Sequence, residues 1–188
     1  DTRGFIMSKV QLIYTGVSQI VGGPELGLLI LSDLSHIRQV AIVCDSRMEY
    51  ELSLRAAGTS LTERLLPEVL CSINPRMTGE HYEVLFNSII DGQYKALLVD
   101  KDDLTLTPIR ASDAVLLAQV AKLDIFMEES LFKRQSVDYH ANKNKIALPV
   151  NALSMEMLRH ALDKAIEEEN YELASMLRDE MRHRKKDT

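Results

Sequence analysis

The sequence predicts an α+β fold: a mostly antiparallel sheet with flanking helices, followed by a separate C-terminal αα-hairpin. Three observations carry that reading. Strand-like runs follow one another across short polar turns instead of alternating with long helices, which favours hairpin-connected strands over a doubly wound parallel sheet. Asp91-Gly92 lies between two β-rich runs, a dipeptide that tolerates the two positive φ angles of a tight hairpin. Beyond residue 150, apolar residues recur at helical spacing on both sides of the polar corner Glu169-Asn170.

Val10, Leu12, Tyr14 and Gly16 alternate along one side of a first strand, and residues 26–31 and 37–44 supply two more around Ser32-Asp33, giving a three-stranded meander. The period then turns helical at Met48, Leu52 and Ala56, with Ser46 as the expected N-cap and Gly58 just past the end. A shorter helix is expected over residues 65–73, with Pro67 in its first turn. The Asp91-Gly92 hairpin occupies residues 82–99, residues 100–103 turn the chain, and residues 104–109 form another strand. Residues 111–122 read as a helix that buries Ala114, Val115, Leu117, Ala118 and Ala121. A short strand near Ile125-Phe126 and a short helix over residues 128–132 close a domain spanning residues 7–133. Residues 134–150 offer little to bury and read as a linker.

The hairpin takes residues 151–188. Its first helix, capped by Ser154, carries Met155, Leu158, Leu162, Ala165 and Ile166, and its second carries Ala174, Leu177 and Met181. Each helix buries only one stripe, so the pair is expected to need a partner.

A chain of 188 residues accommodates one ordinary domain and a small appendage. With 46% hydrophobic and 5% aromatic residues, its core is aliphatic. A net charge of −6 argues against non-specific coating of nucleic acid, although local basic patches remain. No apolar run is long enough to span a bilayer and no signal peptide opens the chain, so the expectation is no membrane and a cytoplasmic location. Met7-Ser8-Lys9 looks like a natural start, and residues 1–6 are set aside. Cys44 and Cys71 lack metal-like neighbours and read as small core residues of a reducing compartment.

Asp100, Asp102 and Asp103 lack the glycine and terminal glutamate of a calcium loop and read as a solvated turn. The histidines at 36, 81, 140, 160 and 183 show no zinc spacing, and Gly22-Gly23 reads as a turn. Arg110, Ser112 and Asp113 stand where a strand ends and a helix begins. Two readings stay open there. Ser112 or Asp113 satisfies amides of the helix's first turn while Arg110 pairs with Asp113; or Arg110 holds a phosphate while a carboxylate places water or a metal ion. Near the end, Arg178 and residues 182–186 complement the negative end of a helix, with nucleic acid as the alternative partner.

The run Arg110-Ala111-Ser112-Asp113-Ala114-Val115, continued through Leu123-Asp124-Ile125-Phe126-Met127-Glu128-Glu129, resembles the signature region of the bifunctional nuclease family. Residues 10–17, Val40-Ala41-Ile42-Val43 and Asp91-Gly92-Gln93-Tyr94-Lys95-Ala96 resemble its opening strand, its Ile-Pro-Ile-Val strand and its hairpin, so the likeness runs over residues 9–132. It implies hydrolysis of RNA or DNA phosphodiesters. Arg110, Asp113 and Glu68 would be catalytic, Arg110 and Ser112 would bind substrate, and Asp113 and Glu68 would place Mg2+, another divalent cation or water. Where the family has Arg-Pro-x-Thr-His-Asp, this chain aligns as Glu63-Arg64-Leu65-Leu66-Pro67-Glu68, so the histidine becomes Pro67 and the acid survives as Glu68. The alternative is therefore a catalytically degenerate, nuclease-like binding or scaffold protein.

The second resemblance is to the UVR domain, a helical hairpin of nucleotide-excision-repair proteins and protease adaptors. Its carriers are Leu162, residues 165–172, Ala174, Leu177-Arg178-Asp179-Glu180 and Met181. It implies a protein partner from DNA repair or proteolysis, contacted by Tyr171, Leu177, Arg178 and Asp179, and a bacterial source. Exposed sheet edges add the expectation of a homo-oligomer.

Overall fold

The structure, a computed structural model, describes residues 8–19, 26–58, 60–139 and 153–186. Two compact units divide the chain: Asp1–Ser88 with Lys95–Ile146, and Ile89–Tyr94 with Ala147–Thr188.

The first unit is built on an eight-stranded sheet. Strands β1 (Lys9–Gln19), β2 (Leu26–Asp33) and β3 (Arg38–Asp45) form the expected antiparallel meander. Helices α1 (Ser46–Ala56) and α2 (Leu66–Ile73) follow, then β4 (Tyr82–Ile90), β5 (Gln93–Asp100), β6 (Leu106–Arg110), α3 (Ala111–Ala121), β7 (Asp124–Glu128), α4 (Glu129–Gln135) and β8 (Val137–Asp138). The strand order is β6-β5-β4-β7-β1-β2-β3-β8. The sheet is mostly antiparallel, as its hairpin turns dictate, but β7 lies parallel to β4. That pairing closes the β5, β6 and α3 excursion into a crossover, a non-local contact that local pattern does not encode.

The apolar runs form the core. Leu28, Leu29, Ile30 and Leu31 of β2 are all buried, so this inner strand is covered on both faces, and Val84, Phe86 and Met127 continue the core across the sheet. Five residues of α3 named from periodicity, Ala114, Val115, Leu117, Ala118 and Ala121, are buried, together with Leu116. At the hairpin, Asp91 and Gly92 both have positive φ, 52° and 74°, as a type I′ turn demands.

Several expectations need correction. In β1 the alternation slips at Thr15, an extra residue between the pairs Tyr14 with Leu31 and Gly16 with Ile30, so Gly16 does not continue the face of Tyr14. Helix α1 is capped by Asp45, not Ser46: Asp45 Oδ1 accepts from the Met48 amide at 2.8 Å, because the helix starts one residue earlier than its apolar period suggests. The aspartates of the 100–103 turn do not form a merely solvated loop. Arg76 Nη2 lies 3.2 Å from Asp100 Oδ2 and 2.6 Å from Asp102 Oδ2, and His81 Nδ1 is 2.8 Å from the same Asp102 oxygen. Residues 134–139, expected as linker, belong to the fold. Helix α4 runs through Gln135, and β8 pairs with Arg38 and Gln39, because the open edge of β3 needs backbone partners and not apolar side chains. Residues 140–150 of that expected linker lie outside the described residues.

In the second unit, α5 (Met155–Glu167) and α6 (Tyr171–Lys186) form the expected αα-hairpin. Ser154 caps α5, accepting from the Met157 amide at 3.2 Å, and Asn170 does the same for α6 through Leu173. Leu158, Ala165, Ala174 and Leu177 make a small core, flanked by Leu153, Met155, Ala161, Leu162 and Met181. Ile166, expected on the buried stripe, is 53% exposed. Arg184, one of the basic residues expected to complement the end of the helix, is buried: it donates to Glu180 Oε1 at 2.8 Å and to the Leu153 carbonyl at 2.6 Å, tying the end of α6 to the start of α5.

Candidate functional site

Arg110 is the last residue of β6 and Asp113 lies in the first turn of α3, so the strand-to-helix junction presents both side chains at a spacing of three residues. Their pairing is two-pronged: Arg110 Nε donates to Asp113 Oδ2 at 2.9 Å and Nη2 to Oδ1 at 2.9 Å. Asp45, where β3 meets α1, places Oδ2 3.6 Å from Arg110 Nη1. The guanidinium thus stands between two carboxylates, and all three side chains are roughly half exposed. Asp113 above all, and then Asp45, hold the Arg110 proton more tightly than usual. Asp45 is the participant that sequence reading missed; its signal was a carboxylate directly after a buried strand and before a helix.

Arginine offers two edges for forked recognition. Asp113 fills the Nε side, while Asp45 approaches Nη1 at a distance longer than a hydrogen bond. An anion with two oxygens, such as a phosphodiester, fits the less firmly occupied edge, where it has only Asp45 to displace.

Ser112 is buried beside this pair at 6% exposure, and α3 has no side-chain cap, so neither Ser112 nor Asp113 fulfils the capping expectation. Glu68 does not join the pair. Both its oxygens are taken by Arg55, at 2.8 Å from Nε and 2.7 Å from Nη2, and Arg55 Nη1 also donates to Glu51 at 2.8 Å. This largely buried triad clips α2 to α1. Of the three residues expected to be catalytic, the fold brings Arg110 and Asp113 into contact and commits Glu68 elsewhere.

Cys44 lies close enough to feel Asp45 and Arg110, and Tyr14 in turn feels Cys44 and Glu49. Burial, then the carboxylates of Asp45 and Glu49, push the Cys44 thiol up to about 12, and burial chiefly pushes Tyr14 to about 12. Neither ionises near neutral pH, which leaves Cys44 a core residue and no nucleophile. Among the described residues, no group of three or more His, Cys, Asp or Glu side chains is arranged to hold a metal ion. Of the two carboxylates expected to place a divalent cation or water, Asp113 is engaged by Arg110 through both oxygens and Glu68 by Arg55 through both of its own.

The Arg76 network is a second charged cluster in the same unit. The Arg76 hydrogen bond and then His81 hold the Asp102 carboxyl below its ordinary 3.8, and the Asp102 amide lowers Asp100 most. A depressed folded-state value means that the carboxylates stabilise the fold above the ordinary range and lose that contribution as pH falls through the lowered value. Melting temperature is therefore expected to drop on acidification below pH 3.8, and Arg76→Gln to flatten that drop; an unchanged profile would assign the acid sensitivity to other groups.

On the second unit, Tyr171 is 68% exposed, and Arg178 and Asp179 face solvent, with Asp179 3.9 Å from Arg182. Leu177 is 1% exposed and serves the hairpin's core. No helix among the described residues is long and apolar enough to cross a membrane.

Residues 29–140, more than half of the chain, match a family model described as the bifunctional nuclease domain. No curated protein matches the chain.

Proposed function

The chain belongs to the bifunctional nuclease domain family, and from that premise we propose that its first unit hydrolyses RNA or DNA phosphodiesters at Arg110. The observation that carries the reading is the exposed guanidinium held along one edge by Asp113 and left with a looser edge toward Asp45. Arg110 would take two phosphate oxygens and neutralise the charge that grows on them as water attacks. Asp113 keeps the guanidinium aimed, and Asp45, once displaced from Nη1, lies beside the phosphate. There it can orient the attacking water and take its proton, while the phosphorus–oxygen bond to the leaving strand breaks and that oxygen is protonated from solvent. Ser112 supports the junction from beneath, and Glu68 acts at one remove by fixing α2.

A second reading is favoured by Pro67 in the place of the family's histidine and by Glu68 and Asp113 both being locked onto arginines. Under it the unit grips a phosphate backbone without cutting. Labelled single-stranded RNA and DNA, incubated with magnesium or with chelator, separate the two. Wild type is expected to cut, and Asp113→Ala to cut about 10- to 100-fold more slowly because the anchor loses its aim. Retention of the strand without cleavage by either protein would replace hydrolysis by binding, and equal cutting would remove Asp113 from the site.

For the second unit we propose a UVR-type docking hairpin in a cytoplasmic bacterial protein. Its support is that α6 exposes Tyr171, Arg178 and Asp179 and, elsewhere around its solvent-facing side, the apolar Leu173 and Met176, a mixture that suits a protein partner.

A further inference from the structure

Helix α2 is amphipathic in the inverted sense. Leu66, Val69, Leu70 and Ile73 fall at i, i+3, i+4 and i+7 and therefore share one face. That stripe normally faces a core, yet these residues are 79%, 38%, 36% and 75% exposed, and no residue of α2 is buried. The opposite flank carries Glu68, held by Arg55, and the partly buried Cys71. The 3-10 turn at Ser60–Thr62 just before the helix adds Leu61, 71% exposed.

We propose that the chain self-associates through this face, α2 packing against α2 of a second copy about a two-fold axis. Charge favours an identical partner. Glu68, the helix's only acid or base besides a thiol, lies on the opposite flank in the triad with Arg55 and Glu51, so the stripe itself carries no charge and two such stripes meet without like-charge repulsion despite the net charge of −6. Shape agrees, because a stripe at this spacing forms a ridge that fits the grooves of a second helix. Area agrees as well: Leu61 and the four stripe residues leave on the order of 500 Å² of apolar surface per copy, over half of the roughly 800 Å² each partner gives to a standard interface, with a polar rim supplying the rest. A nucleic acid or acidic peptide would find no cation on this stripe.

Light scattering coupled to gel filtration of the full chain, over a dilution series, tests the proposal. Wild type is expected to approach twice 21.3 kDa at high concentration and to fall toward 21.3 kDa on dilution. The double variant Leu66→Glu, Ile73→Glu changes only exposed positions, keeps the wild-type circular dichroism, and stays at 21.3 kDa throughout. Wild type at 21.3 kDa at the highest concentration would overturn the proposal and leave the stripe to a different protein. A double variant that still reaches twice the mass would overturn it too, by placing the contact on another surface.

Discussion

Replacing Arg110 with glutamine is expected to slow phosphodiester cleavage by about 100- to 1,000-fold, the loss typical when a preorganised donor to a developing anion is removed. Arg110→Lys recovers only part of that rate, because a point charge cannot hold Asp113 on one edge and two phosphate oxygens on the other. Asp45→Asn is the informative contrast. Asparagine caps a helix as well as aspartate does, so α1 keeps its start, while the negative charge 3.6 Å from Arg110 Nη1 disappears. Strand binding, read by retention of a labelled oligonucleotide on a filter, is expected to tighten in Asp45→Asn and to weaken in Arg110→Gln. Undiminished cleavage by Arg110→Gln would remove the anchor and with it the assignment of chemistry to this junction. Weaker binding by Asp45→Asn would make that carboxylate a ligand of the substrate's surroundings and no competitor of the phosphate.

The Arg110 and Asp113 pair was legible because it is local: three residues apart at a strand-to-helix junction, two side chains of opposite charge meet with little help from the rest of the fold. Glu68 was not. Position in a family pattern says that an acid is present, whereas the partner it takes depends on how α1 and α2 cross, and Arg55 claims both its oxygens. The same division runs through the architecture. Asp91-Gly92 announces its own turn through two positive φ angles, but the parallel pairing of β7 with β4 joins segments some forty residues apart by topology alone. β8 escaped notice because a two-residue strand on an edge, Val137 and Asp138, is held by backbone hydrogen bonds and is too short to carry a periodic signal. For α2, Pro67 in the first turn marked the helix correctly, and its apolar residues share one face. Which way that face points is a property of the packed domain.

Leu177→Ala is expected to melt the C-terminal hairpin while the first unit stays folded. Leu177 is buried to 1% against Leu158, Ala165 and Ala174, and truncating such a leucine costs about 2–5 kcal/mol. A hairpin whose core cluster is four buried residues among those described has little reserve against a loss of that size, since short helices draw their stability from packing. Amide exchange across α5 and α6 should rise to solvent rates while β2 and β3 keep their protection; retained protection in the helices would show that some other contact holds them. Tyr171→Ala alters a side chain that is 68% exposed and outside this core, so both helices should persist. If the hairpin docks through the exposed side of α6 at Tyr171, a partner retained by the immobilised wild-type chain is lost from both variants, by unfolding in one and by removal of a contact in the other. Retention by Tyr171→Ala, and equally by a chain truncated after residue 150, would sink the docking role, whereas loss from Leu177→Ala alone would keep it and move the contact away from Tyr171.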